Sequence, residues 1–180
     1  PKNKLSIVTN LSDIDFFNVE DQKGKKYRES LSITQNNPLV VYTGAFGRIN
    51  GLKYLINIAN EMKKINSDVR FLLVGDGYEK KSLEEKSKQF GLLNKQLFFK
   101  EYIPKNKMPD LLSAATITTS FFIDLPEMEH NSANKFFDSL AAGKPIMINY
   151  GGWQAELLRR TGAGFVVAPN SPKSAAEKIN

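Results

Sequence analysis

The chain has 180 residues, 25 Lys and Arg against 19 Asp and Glu, a net charge of +6 and 41% hydrophobic residues, enough for one substantial globular core. It has no Cys, which excludes disulfides and thiolate metal sites. No apolar run approaches the length of a bilayer-spanning helix, and the start carries no signal-peptide pattern. The Lys excess is spread over Lys2 to Lys26, Lys53 to Lys64 and Lys80 to Lys107. Spread in this way it reads first as solvated faces, and is compatible with a phosphorylated ligand, an anionic membrane surface or nucleic acid; of these, nucleic acid is not the expected partner. A cytoplasmic setting is expected, with peripheral contact to the inner face of the membrane as an option. The chain opens at Pro1 without an initiator Met and stops at Asn180 inside a helix-like run, so a fragment of a longer protein is expected.

In chain order, Lys4 to Thr9 predicts a short strand, and NLSDIDFF with DQKGKKYRES predicts an irregular connector up to residue 37. Asp13 and Asp15 are alternate carboxylates beside aromatic residues, read as turn and anchor rather than as metal ligands. From Pro38 apolar runs of strand length alternate with segments of helical period. PLVVYTGAF is the first strand, and GLKYLINIANEMKKIN is a helix with Leu52, Leu55, Ile56, Ala59 and Met62 on one face. VRFLLVGDG, QLFFKEYI and TITTSFF are the next strands, separated by YEKKSLEEKSKQFGL and KNKMPDLLSAA as helices, with Pro109 near the first turn of the second. The loop IDLPEMEHN leads to a helix, the strand PIMIN, the loop YGGW, the helix QAELLRR, the strand GFVVA and a terminal helix. Six continuously apolar strands, each followed by a helix or loop, predict an α/β fold: a doubly wound, Rossmann-like parallel sheet covered on both faces. In that architecture ligands bind beyond the carboxyl ends of the strands, where strand order reverses.

The stretch NSANKFFDSLAAGKPIMINYGGW, Asn131 to Trp153, is the predicted working site. Asn131 and Ser132 are read as caps, the eight positions after them as helix, and Gly143 as its stop. Asn131, Lys135 and Asp138 recur at i, i+4 and i+7 as a polar stripe, which is either a ligand face or a solvated one. Unpaired N–H groups at the positive pole of the helix would seat a phosphate, which Lys135 would reinforce.

Other candidates stand beside plainer readings. Gly44, Gly47 and Arg48 after the first strand would let backbone and charge approach a pyrophosphate, although the glycine spacing is not the dinucleotide fingerprint and a structural turn serves as well. Gly75, Asp76 and Gly77 read as a turn, with Asp76 a cap. His130, the single histidine, is either an acid/base near a reacting group or a surface partner of Asp124, Glu127 and Glu129. Gly151 and Gly152 would permit close backbone approach to a ligand or make a tight loop. No P-loop and no Ser-His-Asp or Cys-His arrangement is present.

Together, VVYTGAFGRINGLKYLI, VRFLLVGDG, QLFFKEYIP, NSANKFFDSLAAGKPIMI, YGGWQAELL and TGAGFVVAP resemble the C-terminal, nucleotide-sugar-binding domain of retaining glycosyltransferases of family 4 with the GT-B fold. The resemblance covers nearly all of residues 38–180, looks closest to bacterial enzymes that build surface polysaccharides, and sets residues 1–37 as an interdomain connector. NLSDIDFF is similar to the family's Asn-Gly-x-Asp-type segment after the crossover. The resemblance implies that Asp138 binds the ribose hydroxyls, as a carboxylate suits a diol. Backbone from Ser132 to Lys135 would face the diphosphate, Arg48 would bind phosphate, and Tyr102 and Ile103 would read the base by backbone. His130 stands where the family has a sugar-binding glutamate. Asn50 stands where a lysine is usual, with Lys53 or Lys135 as substitutes. The implied reaction is transfer of a hexose from a nucleotide diphosphate sugar, UDP favoured, to an acceptor hydroxyl with retention, with no metal or cofactor. The acceptor, a sugar or a lipid-linked sugar, would be held by an N-terminal domain absent from this chain, leaving the isolated fragment inactive. The alternatives are a nucleotide-sugar epimerase of the same fold and a non-catalytic nucleotide- or membrane-binding module.

Overall fold

A computed structural model describes residues 10–180. The expected strand at Lys4 to Thr9 lies outside the described residues. The remaining expectation of an irregular connector is corrected: Ile14–Phe17 (α1) and Asp21–Glu29 (α2) are helical. Asp13 starts α1 by accepting a hydrogen bond from Phe16 N at 3.0 Å, so its carboxylate is indeed a turn device. α2 escapes detection because its buried residues are Gly24 and Arg28 rather than an apolar stripe. Gly24 lies against the Ser113 backbone. The Arg28 guanidinium donates to the carbonyls of Ala114, Thr34 and Asn37 and to Thr116 Oγ1.

Six strands form one sheet: Leu39–Thr43 (β1), Arg70–Val74 (β2), Leu97–Lys100 (β3), Ile117–Ser120 (β4), Ile146–Ile148 (β5) and Gly164–Val166 (β6). Their order is β3-β2-β1-β4-β5-β6, and every pairing is parallel. The intervening helices are Lys53–Lys64 (α3), Lys80–Gln89 (α4), Met108–Ala114 (α5), Asn134–Ala141 (α6), Gly152–Thr161 (α7) and Pro172–Ile179 (α8).

Strand side chains alternate between two layers, the period-2 consequence of pleating. Val40 and Tyr42 of β1, with Phe71 and Leu73 of β2, meet Leu55, Ile56, Ala59 and Met62 of α3, Leu83 of α4 and Ala175 of α8. Leu39, Val41, Leu72 and Val74 face the opposite side, against Leu111 and Ala114 of α5. The register Val41↔Thr118↔Ile146 puts β5 residues Ile146 and Ile148 on that second side, where Phe136 of α6 and Leu158 of α7 cover them. Burial on both faces explains why the strands read as unbroken apolar runs. Among the described residues no helix is long and apolar enough to cross a membrane.

Strand order reverses between β1 and β4. The chain leaving β1 runs through α3 to one face, and the chain leaving β4 runs through α6 to the other. The crevice between these exits is where such sheets take ligands.

Candidate functional site

The start of α6 lies one residue later than the caps Asn131 and Ser132 predict. Pro126–His130 forms a 3-10 turn, Asn131 ends it, and α6 begins at Asn134 with Ala133 in the cap position. Asn131 still serves locally, its Oδ1 accepting from Ala133 N at 3.3 Å. No side chain caps α6 and no acid occupies its first turn. Its leading N–H groups therefore keep the positive pole that an acidic or hydroxyl cap would soften. Gly143, at φ 63°, ends the helix as the sequence predicts.

Lys135, in the first turn of α6, reaches across the switch point to the loop after β1. Its Nζ donates to Tyr42 Oη at 3.0 Å and to Asn50 Oδ1 at 3.5 Å, and lies 4.3 Å from the centre of the Tyr42 ring. Tyr42 Oη and Asn50 Nδ2 both donate to Ala45 O, so the loop is braced around this amine. Gly44 makes the room: a Cβ there would sit 3.2 Å from Lys135 Nζ. Among the described residues Lys135 has no carboxylate partner. Burial lowers its pKa to about 8. A partly buried cation at the positive pole of a helix, with no counterion among the described residues, costs stability unless an anion completes it. That position of Lys135 is the signal legible in the sequence, since cations are disfavoured in a first turn.

Arg48 opens the 3-10 turn Arg48–Asn50 beside this amine, with Gly47 as its cap and Gly51 at φ 56° closing it. Gly51 therefore precedes α3 rather than lying in its first turn. Lys53 is paired with Glu79 at 3.5 Å, which leaves Lys135 as the unmatched amine next to Asn50. The glycine turns after β1 and β2 are spent on each other: a Cβ at Gly75 would overlap the Gly44 carbonyl, and one at Gly77 would meet the Phe46 backbone at 2.8 Å. Asp76 is not a cap, because Glu79 precedes α4; its backbone carbonyl instead accepts from Phe46 N at 2.8 Å.

Asp138, one turn further along α6, accepts a hydrogen bond from Ser12 Oγ at 2.6 Å. Asn10 Nδ2 donates to Ser132 O at 2.5 Å and to Asn134 Oδ1 at 3.0 Å. The connector thus lies on the polar stripe of α6, a contact that sequence reasoning missed because it joins residues more than 120 positions apart.

The remaining candidates are placed apart. Tyr102, 70% exposed, and Ile103, packed toward the second core layer, follow β3 at the sheet's far edge. Three strand spacings, about 14 Å, separate β3 from β4. His130 is exposed and makes no ion pair among the described residues. What approaches Gly151 and Gly152 is the chain itself: the Glu129 carboxylate lies 2.7 Å from a Cβ built on Gly151, and the Glu129 carbonyl would overlap one on Gly152, which also has φ 77° and begins α7. These glycines seat the 3-10 turn, correcting the reading of a plain loop from Tyr150 to Trp153.

Two grooves open at the carboxyl edge. One, of about 310 Å³, holds Arg48, Lys53, Glu79, Asp124 and Asn149; the other, of about 600 Å³, holds Asp124, Glu129, Asn149, Gly151, Arg159 and Lys178 along β6. Asn149 is buried, and its amide brackets Phe122 with bonds of 2.8 and 3.0 Å, tying the ends of β4 and β5 together. The α6 start and Lys135 line neither groove. Among the described residues no group of three or more His, Asp and Glu is arranged to hold a metal ion.

Residues 24–180 match the family described as Glycosyl transferases group 1. The chain belongs to that family. An uncharacterized glycosyltransferase of Methanocaldococcus jannaschii is 20% identical over 178 residues, 98% of this chain and 44% of the relative. The putative colanic acid biosynthesis glycosyl transferase WcaI of Escherichia coli is 32% identical over 83 residues, 46% of this chain and 20% of the relative. The chain thus spans less than half the length of these relatives. Among solved structures, Anabaena HepE in complex with UDP and glucose superposes with a TM-score of 0.79 at 21% identity, over 97% of this chain and 46% of HepE. The fold is accordingly that of one half of a GT-B glycosyltransferase.

Proposed function

We propose that the chain is the donor-binding half of a family 4 transferase that moves a hexose from a UDP-sugar to an acceptor hydroxyl with retention, in bacterial surface polysaccharide synthesis. The observation that carries this is three positive features on the two sides of the switch point: the uncapped start of α6, Lys135 with no carboxylate partner among the described residues, and Arg48, which opens the 3-10 turn whose Asn50 Lys135 touches. A diphosphate would satisfy all three. The HepE complex with UDP and glucose supports a uridine nucleotide, and the colanic acid name of the Escherichia coli relative supports a polysaccharide product.

In this reading the diphosphate lies on the N–H groups of Ser132 to Lys135 and takes charge-assisted hydrogen bonds from Lys135 and Arg48. Asp138 accepts from the ribose hydroxyls, and the base reaches toward the backbone of Tyr102 and Ile103. Charge builds on the departing diphosphate as the glycosidic bond loosens, and preoriented N–H groups and cations stabilise that charge more than they stabilise the ground state. His130, the last residue of the 3-10 turn, would face the sugar. Gly47 leaves space beside Arg48, since a Cβ there would meet only Asn50 Nδ2 at 3.7 Å. The acceptor site belongs to an N-terminal domain, so the 180 residues bind nucleotide weakly and do not turn over. The protein works at the cytoplasmic face, in peripheral contact with the membrane that carries a lipid-linked acceptor.

The test is calorimetry of UDP and GDP against the unaltered chain and Asp138→Ala. Loss of hydrogen bonds to a charged group weakens UDP by about 1–3 kcal/mol. Unchanged affinity removes the ribose assignment, and tighter binding of GDP removes the uridine one. An epimerase would instead convert its UDP-sugar without any acceptor.

A further inference from the structure

We infer that the connector is part of the donor site, with Ser12 a positioning residue that orients the Asp138 carboxylate for the ribose diol. This rests on the reading of Asp138 as the ribose ligand. The connector is laid down against its own hydrophobic preference. Leu11 is 82% exposed and Ile14 69% exposed, whereas the polar Ser12 between them is half-buried against α6. Burying Leu11 would remove far more apolar area from water than burying a serine. Specific polar contacts therefore decide the path of this segment, and three are visible: Asn10 to Ser132 O, Asn10 to Asn134 Oδ1 and Ser12 to Asp138 Oδ1. Asp13 stiffens the next step by capping α1, and buried Phe17 anchors that short helix.

The consequence is geometric. A carboxylate has two oxygens and rotates freely about its last bond when nothing holds it. Here Ser12 Oγ–H occupies Oδ1 at 2.6 Å, which fixes the plane of the group and leaves Oδ2 as the acceptor for a ligand hydroxyl. Ordering the acceptor before binding removes an entropic cost that a mobile side chain would meet on complexation. Asn10 acts at the other end of the stripe, holding the Ser132 carbonyl whose peptide precedes the leading N–H groups of α6. A rival role follows from the same distance: Ser12 competes with ribose for Asp138 and restrains binding. The two roles differ in sign.

The experiment measures UDP and 2′-deoxyuridine 5′-diphosphate affinities of the 180-residue chain by calorimetry, for the unaltered protein, Ser12→Ala, Ser12→Thr and Asp138→Asn, with thermal melts to verify folding. The expected result is that Ser12→Ala weakens UDP about fivefold, the equivalent of one ordinary hydrogen bond, and weakens the deoxy ligand much less. Ser12→Thr, which keeps the hydroxyl, restores the preference. Tighter UDP binding by Ser12→Ala overturns the inference in favour of restraint, and equal loss for both ligands reduces Ser12 to a structural contact. The outcomes separate this inference from the reading beneath it. If Asp138→Asn abolishes the preference for UDP while Ser12→Ala leaves it intact, only the role of Ser12 falls. If Asp138→Asn leaves the preference unchanged, or the unaltered chain has none, the ribose assignment falls and takes Ser12 with it.

Discussion

Lys135 shows how one side chain can carry several constraints. The interaction of its amine with Tyr42 and Asn50 holds α6 against the loop after β1, yet no carboxylate neutralises it among the described residues. Its pKa, lowered by burial from 10.5 to about 8, fixes the sign of two pH effects. Between those values the unfolded chain holds more protons than the folded one, so without ligand stability rises with pH across that window and the burial penalty is full below about pH 8. In the proposed site nucleotide binding would run the other way, because a diphosphate needs the ammonium. UDP affinity is therefore expected to fall as pH rises through about 8, and titrations in buffers of different ionisation heat should show proton uptake in the same range. Lys135→Met should weaken UDP by about 1–3 kcal/mol at neutral pH and abolish both effects. A pH-independent affinity in the unaltered chain would leave Lys135 a purely structural lysine.

At the scale of elements, the close approaches at the carboxyl edge depend on glycine. Gly152 combines φ 77° with a position that the Glu129 carbonyl leaves no space to fill. Gly152→Ala should therefore destabilise the chain by more than the roughly 1–3 kcal/mol of backbone strain alone, read from urea unfolding. Gly143 has a positive φ of 63° but nothing within 4 Å of its built Cβ, so Gly143→Ala should show the strain component only. These local demands also show what the sequence could disclose. Strands β1 to β6 and helix α3 are legible because burial on both faces or along one stripe writes a period into the residues, and every predicted face residue of α3, with the preceding Leu52, is fully buried. Short-range chemistry is partly legible: Gly143 ends α6 as expected, while the caps place its start one residue early, because Asn131 Nδ2 donates back to Met128 O and its Oδ1 accepts from Ala133 N, the residue before the helix. Helix α2 is not legible, since its docking uses a glycine contact and a guanidinium hub in place of periodic apolar residues. Nor are the contacts of Asn10 and Ser12, which no local pattern encodes. At the glycine pair Gly151 and Gly152, sequence could indicate a close approach but not that Glu129 makes it.

For the whole molecule, the parallel sheet sets one working edge. The exits at the β1/β4 reversal carry Arg48 after β1 and Lys135 on α6 after β4, with the connector on α6 and the smaller groove at Arg48. In the proposed reading this edge binds only the donor, and the Methanocaldococcus jannaschii relative is more than twice this chain's length. Incubation of the chain with a UDP-sugar and an acceptor should therefore release no UDP beyond spontaneous hydrolysis, and rapid glycosyl transfer by these residues would refute the division of labour. The measurement that bears most directly on the donor site is a crystal structure of the chain with UDP. The diphosphate is predicted to lie at the start of α6, with an oxygen about 3 Å from Lys135 Nζ and others on the N–H groups of Ser132 to Lys135. A diphosphate lodged instead beside Arg159 and Lys178 along β6, leaving Lys135 unpaired, would contradict it.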